Sequence, residues 1–177
     1  LIVAGLASMY THTMFMEYSR KRASSGMTGA EAAARMLSRA GINDVRIERV
    51  DGFLSDHYDP LAKTLRLSPK VYDEDSLSAI GVACHEAGHA LQHAAGYFPM
   101  HIRSQLVPMA NIGSYLSYGA IILGFILQAG HLVMLGAILF SAVVLFSIVT
   151  LPVEWDASAR AKKLMVSSGI VSEQERD

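Results

Sequence analysis

The chain has 177 residues, of which 51% are hydrophobic, and its mean hydropathy is +0.30. A soluble domain of this length needs less apolar surface, so the composition predicts a membrane component. The 15 basic and 16 acidic residues give a net charge of -1 at pH 7, which excludes the basic field that draws proteins to nucleic acid. Cys84 is the only cysteine, so an internal disulfide and a zinc site of several thiolates are excluded.

The first residues read as part of a membrane helix. Residues 1–16 are mostly apolar but shorter than the ~20 residues of a spanning helix, so we interpret them as a partial N-terminal transmembrane helix. A signal peptide is the alternative, although neither a charged leader segment nor a cleavage site supports it. Because the chain opens on Leu1 and closes on a charged run just after a predicted helix, we expect a fragment cut at both ends.

Two helices with clear start signals are predicted in the first half of the chain. Thr28 and Glu31 form a capping box, which begins a short amphipathic helix. An uninterrupted, largely apolar run predicts a longer helix over residues 77–95, with Asp75 or Ser76 as its N-cap.

Between these helices the pattern changes to alternation. Apolar residues alternate with polar ones at 45–50 and 64–67, which predicts two strands separated by a polar loop at 55–60. The strand around Leu65 is a candidate to pair with an extended peptide, with ordinary core packing as the alternative.

The second half of the chain predicts a membrane hairpin. Residues 106–127 and 132–151 contain no Asp, Glu, Lys or Arg, and each stretch is long enough to span a bilayer. We therefore predict a transmembrane hairpin over 105–151. Pro152 fits the first turn of a separate helix over 153–168.

The pattern H-E-x-x-H lies in the middle of the 77–95 helix. His85 and His89 stand four residues apart, so both imidazoles project from one helix face and can reach a single zinc ion. Zinc lowers the pKa of an attacking water to ~7, and Glu86 can take its proton and return it to the leaving amine. The alternative is a pair of hydrogen-bonded core histidines, but the full pattern favours zinc-dependent hydrolysis.

A catalytic zinc ion takes three protein ligands and keeps one open position, so a third ligand is required. The longer motif with a third histidine on the same helix is excluded, because Gln92 and Ala95 occupy the positions it needs. His93 lies a further turn along the helix, where its geometry would be strained. Glu154 is the favoured third ligand and Asp156 its rival, the alternative being that both acids complement a helix dipole.

The type and position of several other residues predict further roles. We expect Cys84 to be a buried thiol. His57 and Tyr58 are candidates to polarise the scissile carbonyl, with packing or solvation as the alternative. Three residues are assigned to membrane interfaces, namely His101, Arg103 and His131.

Four segments carry a resemblance to a known family, and they are 56–60, 65–68, 82–92 and 151–158. Together they resemble the membrane-bound neutral zinc metallopeptidases of the YugP type over nearly the whole chain. The resemblance implies a gluzincin-like site in which His85, His89 and a glutamate on a second helix, Glu154, bind zinc. Ser158 stands where E-x-x-A-D enzymes have an aspartate that steadies a ligand histidine, so the partner of that histidine is open.

The predicted fold is mainly α with a small β element, a membrane-embedded zincin-like metallopeptidase with a transmembrane helical hairpin. Its predicted parts are a partial N-terminal transmembrane helix (1–16), a membrane-apposed catalytic region with the H-E-x-x-H helix (17–104), the hairpin (105–151) and a C-terminal helix with the third zinc ligand (152–177). Lys and Arg residues cluster on the side of the catalytic segments, and the 128–131 turn has neither, so the positive-inside rule predicts a cytoplasmic active domain.

The predicted function is that of a zinc-dependent, membrane-bound endopeptidase with Glu86 as its catalytic residue. Its expected partners are a peptide or protein substrate and the lipid bilayer, and not nucleic acid. The alternative is a metal-binding structural or regulatory membrane protein, which would have no need of Glu86 beside its first ligand. An intramembrane protease is disfavoured by the acidic residues 73–75 just before the helix.

Overall fold

The computed structural model describes residues 2–52 and 55–176, with side chains described from Gly5 onward. In this part of the chain the helices are α1 Ile2–Tyr18, α2 Gly29–Arg39, α3 Pro69–Asp73, α4 Leu77–Ala94, α5 Phe98–Ile126 and α6 Gly130–Ser167. The strands are β1 Arg46–Arg49, β2 His57–Asp59 and β3 Thr64–Leu67. The protein is therefore mainly helical with a small sheet, as the sequence predicts.

Both predicted helix starts are confirmed. The Glu31 N–H donates to Thr28 Oγ1 and the Thr28 N–H donates to the Glu31 carboxylate, so both halves of the capping box form. Ser76, rather than Asp75, caps α4, because its hydroxyl accepts the Ala79 N–H at 3.2 Å. Capping therefore fixes where α4, the helix with the histidine motif, begins.

The three strands form one sheet in the order β1-β3-β2, with β3 parallel to β1 and antiparallel to β2. The predicted loop at 55–60 was wrong, because it contains β2. Only Tyr58 of that strand is buried, so the sequence has no alternation of apolar and polar residues from which β2 could be predicted. Since β3 has a strand on each edge and Leu65 is fully buried, pairing of that strand with a peptide is also wrong.

The chain forms two compact units, and one of them comprises residues 1–95 and 156–177. Its helices α2 and α3 pack on α4, as does the sheet. The last part of α6 belongs to the same unit and buries a stripe of apolar residues spaced four apart, the spacing of one helix face. The stripe consists of Ala157, Ala161 and Met165.

The other unit, residues 96–155, contains α5 and the first part of α6. Within the described residues, α5 and α6 are the helices long and apolar enough to cross a membrane, with mean hydropathies of 1.4 and 2.8 in their most apolar windows. They approach closely at Gly136, where a Cβ atom would lie 2.9 Å from the Ser117 carbonyl oxygen. The two predicted spanning segments are thus helices, while the limits of the predicted parts of the chain stay predictions.

A single helix runs through Pro152, so the prediction of a separate helix starting there was wrong. Proline removes one helical hydrogen bond, but a buried apolar face beyond it can outweigh that loss. Val153 and Ala157 are both fully buried one turn apart and continue the helix past the proline. Glu154 therefore belongs to the same unbroken helical segment as Ala157 and Ser158.

A carboxylate ties the C-terminal segment to the loop before α2. Glu175 accepts hydrogen bonds from the backbone N–H and hydroxyl of both Ser24 and Ser172, at 2.7 to 2.8 Å. These bonds favour the charged form and lower the pKa of Glu175 from 4.5 to about 2. Because the folded pKa is depressed, the stabilisation is present above pH 4.5 and is lost as the pH falls from there towards 2.

We therefore expect Glu175→Gln to lower the free energy of unfolding by about 1 kcal/mol at pH 7, a value kept small by solvent. The difference from the wild type should shrink at pH 3, where the unfolded carboxyl is already protonated. Thermal unfolding at both pH values measures it, with Glu173→Gln as an exposed control on the same segment. An equal difference at pH 7 and pH 3 would contradict the assignment.

Candidate metal centre

The two motif histidines lie one turn apart on α4. Their ring centroids are 4.9 Å apart and the rings are nearly perpendicular, at 81°. His89 is buried, with 3% of its surface exposed, whereas His85 is half-buried. Helical spacing therefore places both imidazoles on one face at the edge of the protein interior.

The helix segment with the two histidines packs closely against the end of α6. Gly88, between the two histidines, faces the backbone of Ala157, and a Cβ atom at position 88 would lie 2.5 Å from the Ala157 carbonyl oxygen. Only glycine fits such an approach. The glycine in His85-Glu-Ala-Gly-His89 thus serves the contact between the two helices.

Ser158 is a hydrogen-bond partner of His85, the first histidine of the motif. Its hydroxyl lies 3.0 Å from His85 Nδ1, so serine occupies the supporting place that the family pattern would give to an aspartate. With Nδ1 held in this way, Nε2 is the ring nitrogen suited to a metal ion.

The second histidine is supported by a chain of hydrogen bonds. His89 Nδ1 lies 3.0 Å from Gln92 Oε1, Gln92 Nε2 donates to Asp156 Oδ2 at 2.8 Å, and Arg160 Nε donates to the same oxygen at 2.6 Å. An aspartate paired with arginine can only accept, so the amide NH₂ of Gln92 faces Asp156 and its oxygen faces His89. His89 must then carry its proton on Nδ1, which leaves the Nε2 lone pair for a metal ion.

Glu154 lies one turn before Ser158 on α6, on the same helix face. Candidate ligand atoms of His85, His89 and Glu154 lie within 4.8 Å of one another, and among the described residues they form a group able to hold a metal ion. Two imidazoles and one carboxylate are a donor set that zinc accepts while keeping one open position. The residues present therefore fit a zinc ion.

The other two candidate ligands are engaged elsewhere. Asp156 supports His89 through Gln92, and His93 Nδ1 lies 2.8 Å from the Tyr58 hydroxyl. Neither belongs to the group that could hold a metal ion. Glu154 as the third ligand stays a prediction, and its two rivals have other contacts.

Glu154 also has a cationic neighbour that the sequence did not reveal. Arg103 Nη2 lies 2.7 Å from Glu154 Oε1, and both side chains are about one third exposed. The sequence position of Arg103 alone predicts only a place at a membrane interface. An ion pair between residues so far apart in the chain leaves no signal in local patterns.

Glu86 is held from the sheet. The Tyr58 N–H donates to Glu86 Oε2 at 3.1 Å, which links β2 to α4. Burial, with help from Asp44 and Asp59, raises the pKa of the Tyr58 hydroxyl to about 12, and His93 binds that hydroxyl. Neither Tyr58 nor the exposed His57 belongs to the metal group.

Cys84 is fully buried, and burial raises the pKa of its thiol to about 12. The prediction of a buried thiol is confirmed. A buried neutral thiol next to His85 in sequence plays no part in the metal group.

We expect Ser158→Ala to weaken zinc binding about tenfold, because His85 loses the partner of its Nδ1. Ser158→Asp should keep the affinity near that of the wild type, since a carboxylate can take the same hydrogen bond. Competition with a chromophoric chelator at neutral pH measures the affinity, with Ser167→Ala on the exposed side of α6 as the control. Unchanged affinity in Ser158→Ala would show that the contact does not support the ligand.

The fold and the site together define a mainly helical protein with two candidate membrane helices and a candidate centre of two histidines and one glutamate. The sequence profile of a family described as "Putative neutral zinc metallopeptidase" matches residues 1–177, and the chain belongs to this family. A protein of Bacillus subtilis (strain 168) named "Putative membrane protease YugP" is 47% identical over 163 residues, which cover 92% of this chain and 72% of that protein. No solved structure matches the chain. The family resemblance is thereby confirmed, while the zincin-like fold stays a prediction.

Proposed function

We propose that this protein is a membrane-bound, zinc-dependent endopeptidase with His85, His89 and Glu154 as ligands and Glu86 as general base and acid. The observation that carries the proposal is the group on α4 and α6 that could hold a metal ion, together with the hydrogen bond from the Tyr58 N–H to the Glu86 carboxylate. Membership of a family described as zinc metallopeptidases supports the choice of metal and of chemistry.

A bound zinc ion would supply the Lewis acid that polarises the scissile carbonyl and eases deprotonation of the attacking water. Glu86 takes the proton from that water as the new C–O bond forms. The same carboxylic acid then delivers the proton to the amine as the C–N bond breaks. One water molecule is consumed, and the products are a carboxylate and an amine.

The supporting residues suit catalysis better than a purely structural metal site. A structural zinc site closes its fourth position with another histidine or cysteine, whereas the group here has three candidate ligands. Glu86 lies next to a ligand and is held by a backbone N–H, as a proton-transfer group requires.

The proposed location is the cell membrane, with several spans and the active site on the cytoplasmic side. The two candidate spans and the word "membrane" in the name of the Bacillus subtilis relative support a membrane protein. Because Cys84 is buried, a cysteine introduced by His131→Cys offers an accessible thiol between the spans. A membrane-impermeant maleimide should label it from outside intact cells, and labelling only after lysis would reverse the proposed orientation.

Metal removal tests the enzymatic part of the proposal. The detergent-purified protein should cleave fluorescently labelled casein, lose this activity with 1,10-phenanthroline and regain it when about one equivalent of zinc is restored. Cleavage that survives complete removal of metal would point to a contaminating protease of another class. A protein that holds one zinc ion per chain yet cleaves no peptide bond would contradict the proposal.

A further inference from the structure

Tyr58 is attached to α4 at two points. Its backbone N–H binds the Glu86 carboxylate at 3.1 Å, and its hydroxyl lies 2.8 Å from His93 Nδ1. Glu86 and His93 stand seven residues, or two turns, apart on one face of α4. One tyrosine therefore spans two turns of the helix that carries the metal ligands.

The hydroxyl contact is largely shielded from solvent. Tyr58 is 8% exposed, and its hydroxyl lies 2.8 Å from His93 Nδ1, where the tautomer of His93 decides which group donates. His93 thus uses one of its two ring nitrogens for the contact with Tyr58. The contact with Tyr58 explains why a histidine stands four residues after His89 without making it a metal ligand.

The attachment matters because β2 is a short strand at the edge of the sheet. It has three residues and pairs on one side only, with β3. Edge strands of this length gain little stability from their own ladder. Contacts to α4 are therefore needed to keep the Tyr58 N–H in place.

We propose that His93 is a positioning residue for the hydrolytic reaction, because it holds the Tyr58 ring and thereby the N–H that orients Glu86. The inference rests on the proposed function. Glu86 has to reach both the attacking water and the leaving amine, and a displacement of 1 Å in such a group costs up to about 10²-fold in rate. Among the described residues, His93 is not a member of the group able to hold a metal ion, and its proposed effect on the reaction passes through Tyr58.

Four variants test this role with labelled casein as the substrate. Tyr58→Phe and His93→Leu should each lower kcat about tenfold, with KM changed less than about twofold and zinc content unchanged. The double variant should be no slower than the slower single variant, since both break the same contact. His93→Asn should restore kcat to within about threefold of the wild type, because the asparagine amide can accept from or donate to the Tyr58 hydroxyl in place of Nδ1.

Hydrogen exchange gives a readout that does not depend on activity. The peptide that contains Tyr58 should exchange faster in Tyr58→Phe and His93→Leu than in the wild type, and His93→Asn should restore its protection. Glu86→Ala, which removes the acceptor of the Tyr58 N–H, marks the exchange expected for complete loss of the bond.

Unchanged kcat and unchanged exchange in His93→Leu would overturn the inference. Multiplying losses in the double variant would do the same, and so would loss of zinc in His93→Asn, which would make His93 a ligand. If the wild type holds zinc but cleaves no casein, the proposed function fails, and the exchange data alone decide whether His93 orders Tyr58. Normal exchange in His93→Leu then refutes the positioning role.

Discussion

Glu86→Gln is expected to lower kcat by about 10²- to 10⁴-fold while the protein keeps one zinc ion per chain. Glutamine has the size of glutamate and can still accept the Tyr58 N–H, so the geometry around α4 should persist. It cannot take a proton from water, which removes the general base. Initial rates with labelled casein and elemental analysis of the same preparation measure both quantities.

The matched control for this variant is Glu31→Gln, which alters a carboxylate of the α2 capping box far along the chain from the metal motif. It should leave kcat within about twofold of the wild type, apart from a modest loss of stability. If Glu86→Gln retained full activity with zinc bound, another group would be the base and the proposed mechanism would be wrong.

Gly88→Ala is expected to weaken zinc binding by at least about 100-fold. The new Cβ would lie 2.5 Å from the Ala157 carbonyl oxygen. Because the backbone of α4 fixes the Cβ and the oxygen belongs to the backbone of α6, the two helix segments must separate. Separation breaks the contacts from His85 to Ser158 and from Gln92 to Asp156 together. Loss of a single such support typically costs 10- to 100-fold in affinity, roughly, and here two are lost.

Gly81→Ala on the same helix is the control, because a Cβ atom there meets no atom within 4 Å. Alanine is also the better helix former, so this change should leave zinc affinity unchanged and stabilise α4 slightly. Chelator competition on both variants separates the steric effect from the general effect of adding a methyl group. Equal zinc affinity in the two variants would show that the tight helix contact does not support the site.

The elements that the sequence predicted are those with a local signal. The α2 capping box, the Ser76 cap and the uncharged spans each depend on residues close together in the chain. The same is true of the H-E-x-x-H pair, whose ligand face follows from helical periodicity alone. Glu154 was predicted by chemistry and resemblance, and it lies in the group that could hold a metal ion, while its role as a ligand stays a prediction.

The features that could not be predicted from the sequence are those that depend on which helices and strands pack together. In the sequence, Ser158 is a departure from the E-x-x-A-D pattern, and Gln92 only shows that the longer zinc motif is absent. The packing of α6 on α4 shows that Ser158 contacts His85, and the structure of α4 shows that Gln92 contacts His89. Strand β2 has one buried side chain and hence no alternation to detect. Pro152 was read as a helix start because a buried stripe beyond a proline is a tertiary effect.

The most direct test of the account is the zinc content of the detergent-purified protein and its variants by elemental analysis. We predict one zinc ion per chain in the wild type, in Glu86→Gln and in His93→Asn, and none in Glu154→Gln, which loses the third ligand. If zinc survived Glu154→Gln but fell with His93→Asn, or never bound at all, the site of His85, His89 and Glu154 would be contradicted.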